Sequence, residues 1–360
     1  MSTLSEAYTD HPLHLHQIIP LDFDTVRAVP ESHLWPNSDD DFPADVDDHD
    51  GQLSTAPVPV IDLSDPDAAT KLIGHACETL GVFQVINHGI SSSLVKEAES
   101  ETRRLFSLPA RQKLKALRAP GGATGYGIAR ITPFFSKYMW HEGFTIMNNS
   151  AIDHANTLWP NDEHARFCDV MEDYQKKINI LAEQLTKLIF KSLDITEEEE
   201  EEMDQWWVDP STALQLNSYP SCPDPSRALG LAPHTDTSLI TILHQSSTIN
   251  GGGLQVFKEG VGWVPVVPVS GALVVNVGDL LHILSNGRFI NVLHRVFVNQ
   301  NLQRLSMAYF YIPPIGFRVA PLAKLVNSSG QVPRYRSVTV REFISIKAKS
   351  LDKALSFIEN

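Results

Sequence analysis

From residue 212 to about 312 the sequence is a succession of short β-prone runs: "TALQLNSY", "LITILHQ", "GLQVFK", "GWVPVVPV", "ALVVNVGD", "LHILS", "VLHRVFVN" and "LSMAYFYI". Turns rich in Gly, Pro, Asn and Asp separate them, and no helix-length pattern intervenes. Strands in such a series pair with one another, and the solutions are a sandwich or a barrel. Their number suits a double-sheet jelly roll.

The chain before this region reads differently. "VPVIDLS" (58–64) and "VFQVINHG" (82–89) are strands. Between them Leu72, Ile73, Ala76 and Leu80 mark one helix face, ended by Gly81. A serine-capped helix follows, with Leu94, Ala98, Leu105 and Phe106 near one stripe and Pro109 interrupting it. The longest helix is expected over about 161–193, where Phe167, Met171, Tyr174, Ile178, Leu181, Leu185 and Leu188 recur at spacings of 3 and 4. "TEEEEEEMD" (196–204) reads as an acidic helix start capped by Thr196. "APGGATGYGIARITP" (119–133) is a glycine-rich loop without a phosphate-binding signature. The expected class is α+β with a mainly β core: a double-stranded β-helix, or jelly roll, behind an N-terminal helical layer that includes one long helix. The expected division is a flexible acidic arm over 1–55, an α/β region over 56–205, the jelly-roll core over 206–318 and a C-terminal helical segment over 319–360.

A net charge of −14 argues against nucleic acid or an anionic membrane as partner. No apolar run is long enough to span a bilayer, and the first residues lack the pattern of a secretory signal. Cys77, Cys168 and Cys222 are scattered and read as reduced thiols. A cytoplasmic monomer is expected, with the nucleus also open as a location. His11, His14 and His16 lack acidic or cysteine partners and are read as exposed.

One β-run begins with chemistry. In "LGLAPHTDTSLITIL" (229–243), His234 and Asp236 are two positions apart, a spacing that faces both the same way in a strand. A third ligand should come from another strand. His244 and His282 sit in apolar surroundings and read as structural, whereas His294, in "NVLHRVFVNQ", falls where the chain returns to the same sheet. Two histidines and a carboxylate form the facial triad of non-haem Fe(II) oxygenases, with open positions for co-substrate and O2; a zinc hydrolase could use similar ligands. Arg304 and Ser306 break the tie. An arginine inside a barrel needs an anion, and a guanidinium with a hydroxyl cradles a carboxylate. Tyr219 adds a phenol just upstream. A dicarboxylate that chelates iron at one end and meets Arg304 and Ser306 at the other uses all these groups, and 2-oxoglutarate is such a molecule.

Along nearly all residues after about 55 the sequence resembles the plant 2-oxoglutarate/Fe(II)-dependent dioxygenases. The matching pieces are "VPVIDL", "GVFQVINHG", "LQLNSYPSCPDP", "HTD", "GGLQVF", "NVGD", "SNGRF", "HR" and "RLS". Within that family "VPESHLWP", "GYGIARITPFFSKYMWHEGFTI" and "LWP…FCDVMEDY" are similar to the gibberellin 3-oxidases. Ser218, where the family often has a second tyrosine, and the glycine run 251–253 are departures. The resemblance implies that His234, Asp236 and His294 ligate Fe(II), that Arg304 and Ser306 bind the distal carboxylate of 2-oxoglutarate, and that Tyr219 and Asn217 contact its metal-proximal end. It implies O2 as oxidant, ascorbate as reductant and C3 hydroxylation of a gibberellin, a diterpenoid acid. Tyr126, Ile128, Phe134, Phe135, Trp140, Tyr311 and Ile312 are the expected pocket walls, and Arg130 the expected partner of the substrate carboxylate. The competing readings are a gibberellin 2- or 20-oxidase or a flavonoid oxygenase on the same fold, and, from another class, a non-catalytic jelly roll that binds a small acid.

Overall fold

The computed structural model describes residues 7–9, 11–36, 57–147, 151–160, 164–196, 210–246, 253–330 and 332–360. The acidic stretch 37–52, the glutamate run after Thr196 and glycines 251 and 252 lie outside the described residues.

Two long strands, β5 (Ser211–Tyr219) and β12 (Arg304–Ile312), set the architecture. They pair antiparallel without a slip, from Arg304 opposite Tyr219 to Ile312 opposite Ser211. Strand alternation then divides their residues between two faces. Leu214, Leu216, Leu305, Met307, Tyr309 and Tyr311 join the main hydrophobic core with Ile178, Leu181 and Leu185 of the helix Ala165–Lys191. The Tyr309 hydroxyl donates to Asn179 Oδ1 on that helix, 2.9 Å away. The alternate residues face a cavity.

The large sheet has eight strands. In chain order its members are β1 (Val60–Asp62), β2 (Val82–Ile86), β3 (Gly125–Gly127), β4 (Glu142–Met147), β5, β7 (Ile240–Gln245), β10 (Leu273–Val277) and β12. Its spatial order is β1-β2-β10-β7-β12-β5-β4-β3. A second sheet, ordered β6-β11-β8-β9, contains β6 (Leu229–His234), β8 (Leu254–Lys258), β9 (Gly262–Pro265) and β11 (His294–Phe297). Apart from the parallel β1–β2 pair, the ladders are antiparallel. The expected jelly roll behind a helical layer with one long helix is what the chain forms.

Two elements differ from their sequence expectation. "LHILS" is not a strand: Asp279–Leu284 is a helix, buried on every side. A short all-apolar run carries no period that separates a buried helix from a strand. Of the stretch expected to be an arm, residues 7–9 and 11–36 are described, and parts of them lie against the body. Ile18 is fully buried, and its carbonyl accepts from Ile128 N at 2.9 Å.

Candidate active site

The two sheets contribute different chemistry to one cavity of about 720 Å³. The second sheet brings the metal-ligating set. His234 ends β6 and His294 begins β11, and the two are direct cross-strand partners. Their rings lie 4.2 Å apart, centroid to centroid. Asp236 is not in the strand. It stands in the loop between β6 and β7, so the two-residue strand period does not itself aim it.

That loop is held by the short helix behind it. Gly278 N donates to Leu239 O, Asp279 N to Asp236 O and Leu280 N to Ser238 O, at 2.8–3.2 Å. A Cβ at 278 would fall 2.0 Å from Ser238 O, so only glycine permits this approach. From the C-terminal helix Val340–Ser350, Lys347 Nζ donates to Thr235 O at 2.8 Å and Thr235 Oγ1 at 2.7 Å, and pairs with the Asp279 carboxylate.

The ligand atoms converge. Asp236 Oδ1 is 3.7 Å from His234 Nε2 and 3.8 Å from His294 Nε2. Each histidine uses its other nitrogen on the backbone: His234 Nδ1 donates to Ala232 O at 2.8 Å, and His294 Nδ1 to Val292 O at 3.1 Å. With Nδ1 protonated, Nε2 presents its lone pair, the tautomer a metal requires. Burial and the neighbouring His294 push His234 down to about 3, so it stays neutral. Burial raises the Asp236 carboxyl, but His294, His234, the Thr241 hydroxyl and Lys347 outweigh it and hold the group below the usual carboxylate range. Two imidazoles and a carboxylate fit Fe(II) and would leave coordination positions free.

The large sheet brings the anion-binding set. Arg304, Ser306, Asn217 and Tyr219 stand on one face as two cross-strand pairs. Arg304 is 4% exposed, and its Nη2 donates to Gln245 Oε1 at 3.0 Å. Its Nε and Nη1 are buried without a partner. A buried charge with two unmet donors is costly unless an anion meets it. A guanidinium with open N–H groups pairs with a carboxylate, which is the group 2-oxoglutarate would offer. Asn217 is fixed between Ser306 Oγ at 3.3 Å and His141 Nε2 at 2.9 Å.

The expected substrate walls divide. Ile128, Arg130, Phe134 and Ile312 line the cavity; Tyr126, Phe135, Trp140 and Tyr311 do not. The Tyr126 hydroxyl donates to Glu142 Oε2 at 2.6 Å, beside the buried Lys113–Glu142 pair. Phe135 packs near Trp35, and Trp140 near Phe23 with its Nε1 on Pro220 O. Tyr311 is on the wrong face: parity with Arg304 and Ser306 selects Ala308, Phe310 and Ile312 instead. The same parity from Tyr219 and Asn217 reaches Gln215 and Ala213, which also line the cavity. That rule could have found Phe310 and Gln215 from the sequence. Arg118, Lys347, Tyr8, His11, Leu13 and Gln17 also line it, and no sequence signal announces them. His244 and His282 are engaged elsewhere, by Glu99 and by Phe289 O with the Tyr335 hydroxyl.

Comparison with known proteins accords with this geometry. Residues 210–313 match the model of the 2OG-Fe(II) oxygenase superfamily, and residues 58–164 that of the N-terminal region of non-haem dioxygenases in morphine synthesis. The chain is 50% identical to gibberellin 3-beta-dioxygenase 1 of Pisum sativum, over 99% of this chain and 94% of that one. It is 45% identical to gibberellin 3-beta-dioxygenase 1 of Arabidopsis thaliana, over 99% and 98%. Its fold is similar to that of JOX2, whose crystal structure is in complex with 2OG, Fe and JA: TM-score 0.79 and 27% identity over 93% of this chain and 95% of that one. It is also similar to the rice dioxygenase for auxin oxidation, with TM-score 0.69 and 26% identity over 84% and 100%.

Proposed function

The chain belongs to the 2OG-Fe(II) oxygenase superfamily, and from that membership we propose that it hydroxylates a gibberellin at C3 on the β face, with 2-oxoglutarate and O2 as co-substrates. The observation that carries this reading is one cavity lined both by the His234–Asp236–His294 set and by Arg304, whose Nε and Nη1 are unmet. The gibberellin assignment is supported by the near-full-length relatives.

Iron and 2-oxoglutarate, when bound, supply oxidative decarboxylation to succinate and CO2, coupled to insertion of one oxygen atom of O2 into a C–H bond. The chain's own residues do the rest. His234, Asp236 and His294 hold the metal through Nε2, a carboxylate oxygen and Nε2. Arg304, with Ser306, orients the co-substrate by its far carboxylate; Tyr219, the direct cross-strand partner of Arg304, borders that same far end and not the metal-proximal end expected of it, and Asn217 is left for the near end. Leu231, Leu243, Leu254, Val296, Phe310 and Ile312 give the cavity apolar walls, suited to a rigid terpenoid skeleton. Which hydrogen reacts is then a matter of position, because the attacked carbon must sit within near-attack distance of the metal centre.

The test is turnover with Fe(II), ascorbate and 2-oxoglutarate on a panel of gibberellins. Succinate should form in step with a product one oxygen heavier, carrying a 3β-hydroxyl by NMR. Oxidation at C2 or C20 would reassign the enzyme within its family. Succinate released in no gibberellin-dependent way would overturn the substrate class.

A further inference from the structure

Two polar side chains on the cavity wall belong to neither the metal set nor the 2-oxoglutarate set. Gln215 on β5 and Thr145 on β4 are direct cross-strand partners, and both line the cavity. The same row continues through Ala308 on β12 to Leu243 on β7. The next row away from Tyr219 is apolar as well, with Ala213 opposite Phe310. Gln215 is thus a carboxamide set into an apolar part of the wall. Along β5 it stands two residues from Asn217 and four from Tyr219, about 7 and 13 Å at the usual strand rise.

The amide is held at both ends. Thr145 Oγ1 donates to Gln215 Oε1 at 2.5 Å, and Gln215 Nε2 donates to Leu216 O at 3.1 Å. A primary amide carries two N–H groups, and among the described residues the Leu216 carbonyl meets one of them. Gly143 makes the room for this arrangement. A Cβ there would fall 2.4 Å from Gln215 Nε2 and 3.0 Å from His141 Cε1. Gly143 lies inside β4 and is not among the glycines of positive φ, so its backbone does not require glycine. Glycine weakens a strand interior and marks a place where another group approaches closely. Here that group is the Gln215 amide.

We propose that Gln215 is a substrate anchor: its remaining N–H donates to a neutral acceptor oxygen of the substrate, the carbonyl of a lactone or ketone, and so sets the rotation of a rigid fused-ring skeleton relative to the metal set. The proposal rests on the functional reading above and adds a contact to an uncharged group. The open group is a donor, which matches an acceptor-only oxygen, and neither Gln215 nor Thr145 brings a charge. When a substrate enters, the amide loses water and must find an acceptor. A skeleton without an oxygen at that point leaves the donor unpaired, so the contact selects as well as holds.

The experiment is anaerobic equilibrium binding to the Fe(II)- and 2-oxoglutarate-loaded protein, where no turnover occurs. A gibberellin lactone is compared with the cyclic ether that lacks its lactone carbonyl, and the neutral terpenoid lactone sclareolide with its cyclic ether, ambroxide. Wild type should bind each lactone about tenfold tighter than its ether, the scale of one neutral hydrogen bond and the unpaired donor its loss leaves. Gln215→Met should bring each pair within about twofold and leave 2-oxoglutarate affinity unchanged. Gln215→Glu keeps an acceptor for Thr145 but presents no N–H, and should lose the preference as well. Gly143→Ala, by displacing the amide, should lower the preference when Gln215 is present and change nothing further beside Gln215→Met. If Gly143→Ala does not fold, the two Gln215 variants decide. A lactone preference that is absent in wild type, or that survives Gln215→Met, overturns the anchor. So does a fall in 2-oxoglutarate affinity of more than about threefold in Gln215→Met, which would put the amide on the co-substrate. If the gibberellin pair fails to bind while the sclareolide pair keeps a Gln215-dependent preference, the substrate reading fails and the anchor stands.

Discussion

Replacing Arg304 by methionine separates what a buried cation does for the fold from what it does for the co-substrate. Among the described residues its Nε and Nη1 have no hydrogen-bond partner, and Gln245 and Tyr219, whose ring lies 5.1 Å from the guanidinium carbon, offset the charge. Methionine fills most of the same volume without that desolvation cost. The free variant should therefore be at least as stable as wild type, read by urea unfolding. Co-substrate binding moves the other way. Two charge-assisted hydrogen bonds contribute roughly 1.5–3 kcal/mol each, so their loss removes about 3–6 kcal/mol. At 1.4 kcal/mol per decade, that is a fall in 2-oxoglutarate affinity of about 10²–10⁴. Arg304→Lys keeps the charge but not the planar fork and should fall between. Calorimetric titration of 2-oxoglutarate into Mn(II)-loaded protein measures this directly, and Mn(II) affinity itself should stay within a few-fold. An Arg304→Met protein that binds Mn(II) normally and 2-oxoglutarate within threefold of wild type would refute the reasoning.

Asp236→Ala should abolish iron-dependent turnover and weaken Mn(II) binding at least about 100-fold, with an unchanged circular dichroism spectrum; retained activity would remove Asp236 from the metal set. Lys347→Met strips the Asp279 carboxylate of its buried partner and should cost about 3–5 kcal/mol in urea unfolding. Adding Asp279→Asn should recover part of that loss, and equal losses in the single and double variants would show that the pair is not coupled. Burial pushes His141 down to about 4 from an ordinary 6.5. Its depressed value means that the unfolded chain binds the proton first. Stability should therefore be full above pH 6.5 and fall as pH drops toward 4, by up to about 1.4 kcal/mol per unit from this residue. His141→Gln should flatten that slope between pH 6.5 and 4.5, and an unchanged slope would contradict a buried neutral imidazole.

Much of this site was legible because strand parity is a rigid rule. Arg304 and Ser306, or Tyr219 and Asn217, share a face whatever the rest of the chain does. His294 was legible as a strand start returning to the sheet that carries His234. The errors came where parity was dropped or did not apply. Tyr311 is an odd step from Arg304 and joins the main hydrophobic core. Tyr126 and Trp140 have the aromatic character of a pocket wall, but each polar group is used elsewhere, on Glu142 and on Pro220 O. Asp236 reached the metal set through a loop, held by Gly278 and the helix after it, and no two-residue period describes that. Arg118, Lys347 and the segment around Tyr8 reach the cavity from three distant parts of the chain. Such convergence depends on tertiary packing and leaves no local pattern.

His234 and His294 belong to one sheet and Arg304 to the other. Among the described residues no ladder hydrogen bond fixes the gap between these sheets; it is set by the side chains packed in the interior. Leu243, Leu254, Val256 and Val296, which touch neither iron nor 2-oxoglutarate in the assignment above, therefore act as a caliper. Shaving one of them would let the sheets settle closer and move the chelating end of the co-substrate relative to the substrate carbon. Such a variant would go on burning 2-oxoglutarate while its yield of hydroxylated product per succinate declined. The fidelity of the oxidation is thus a mechanical property of the core.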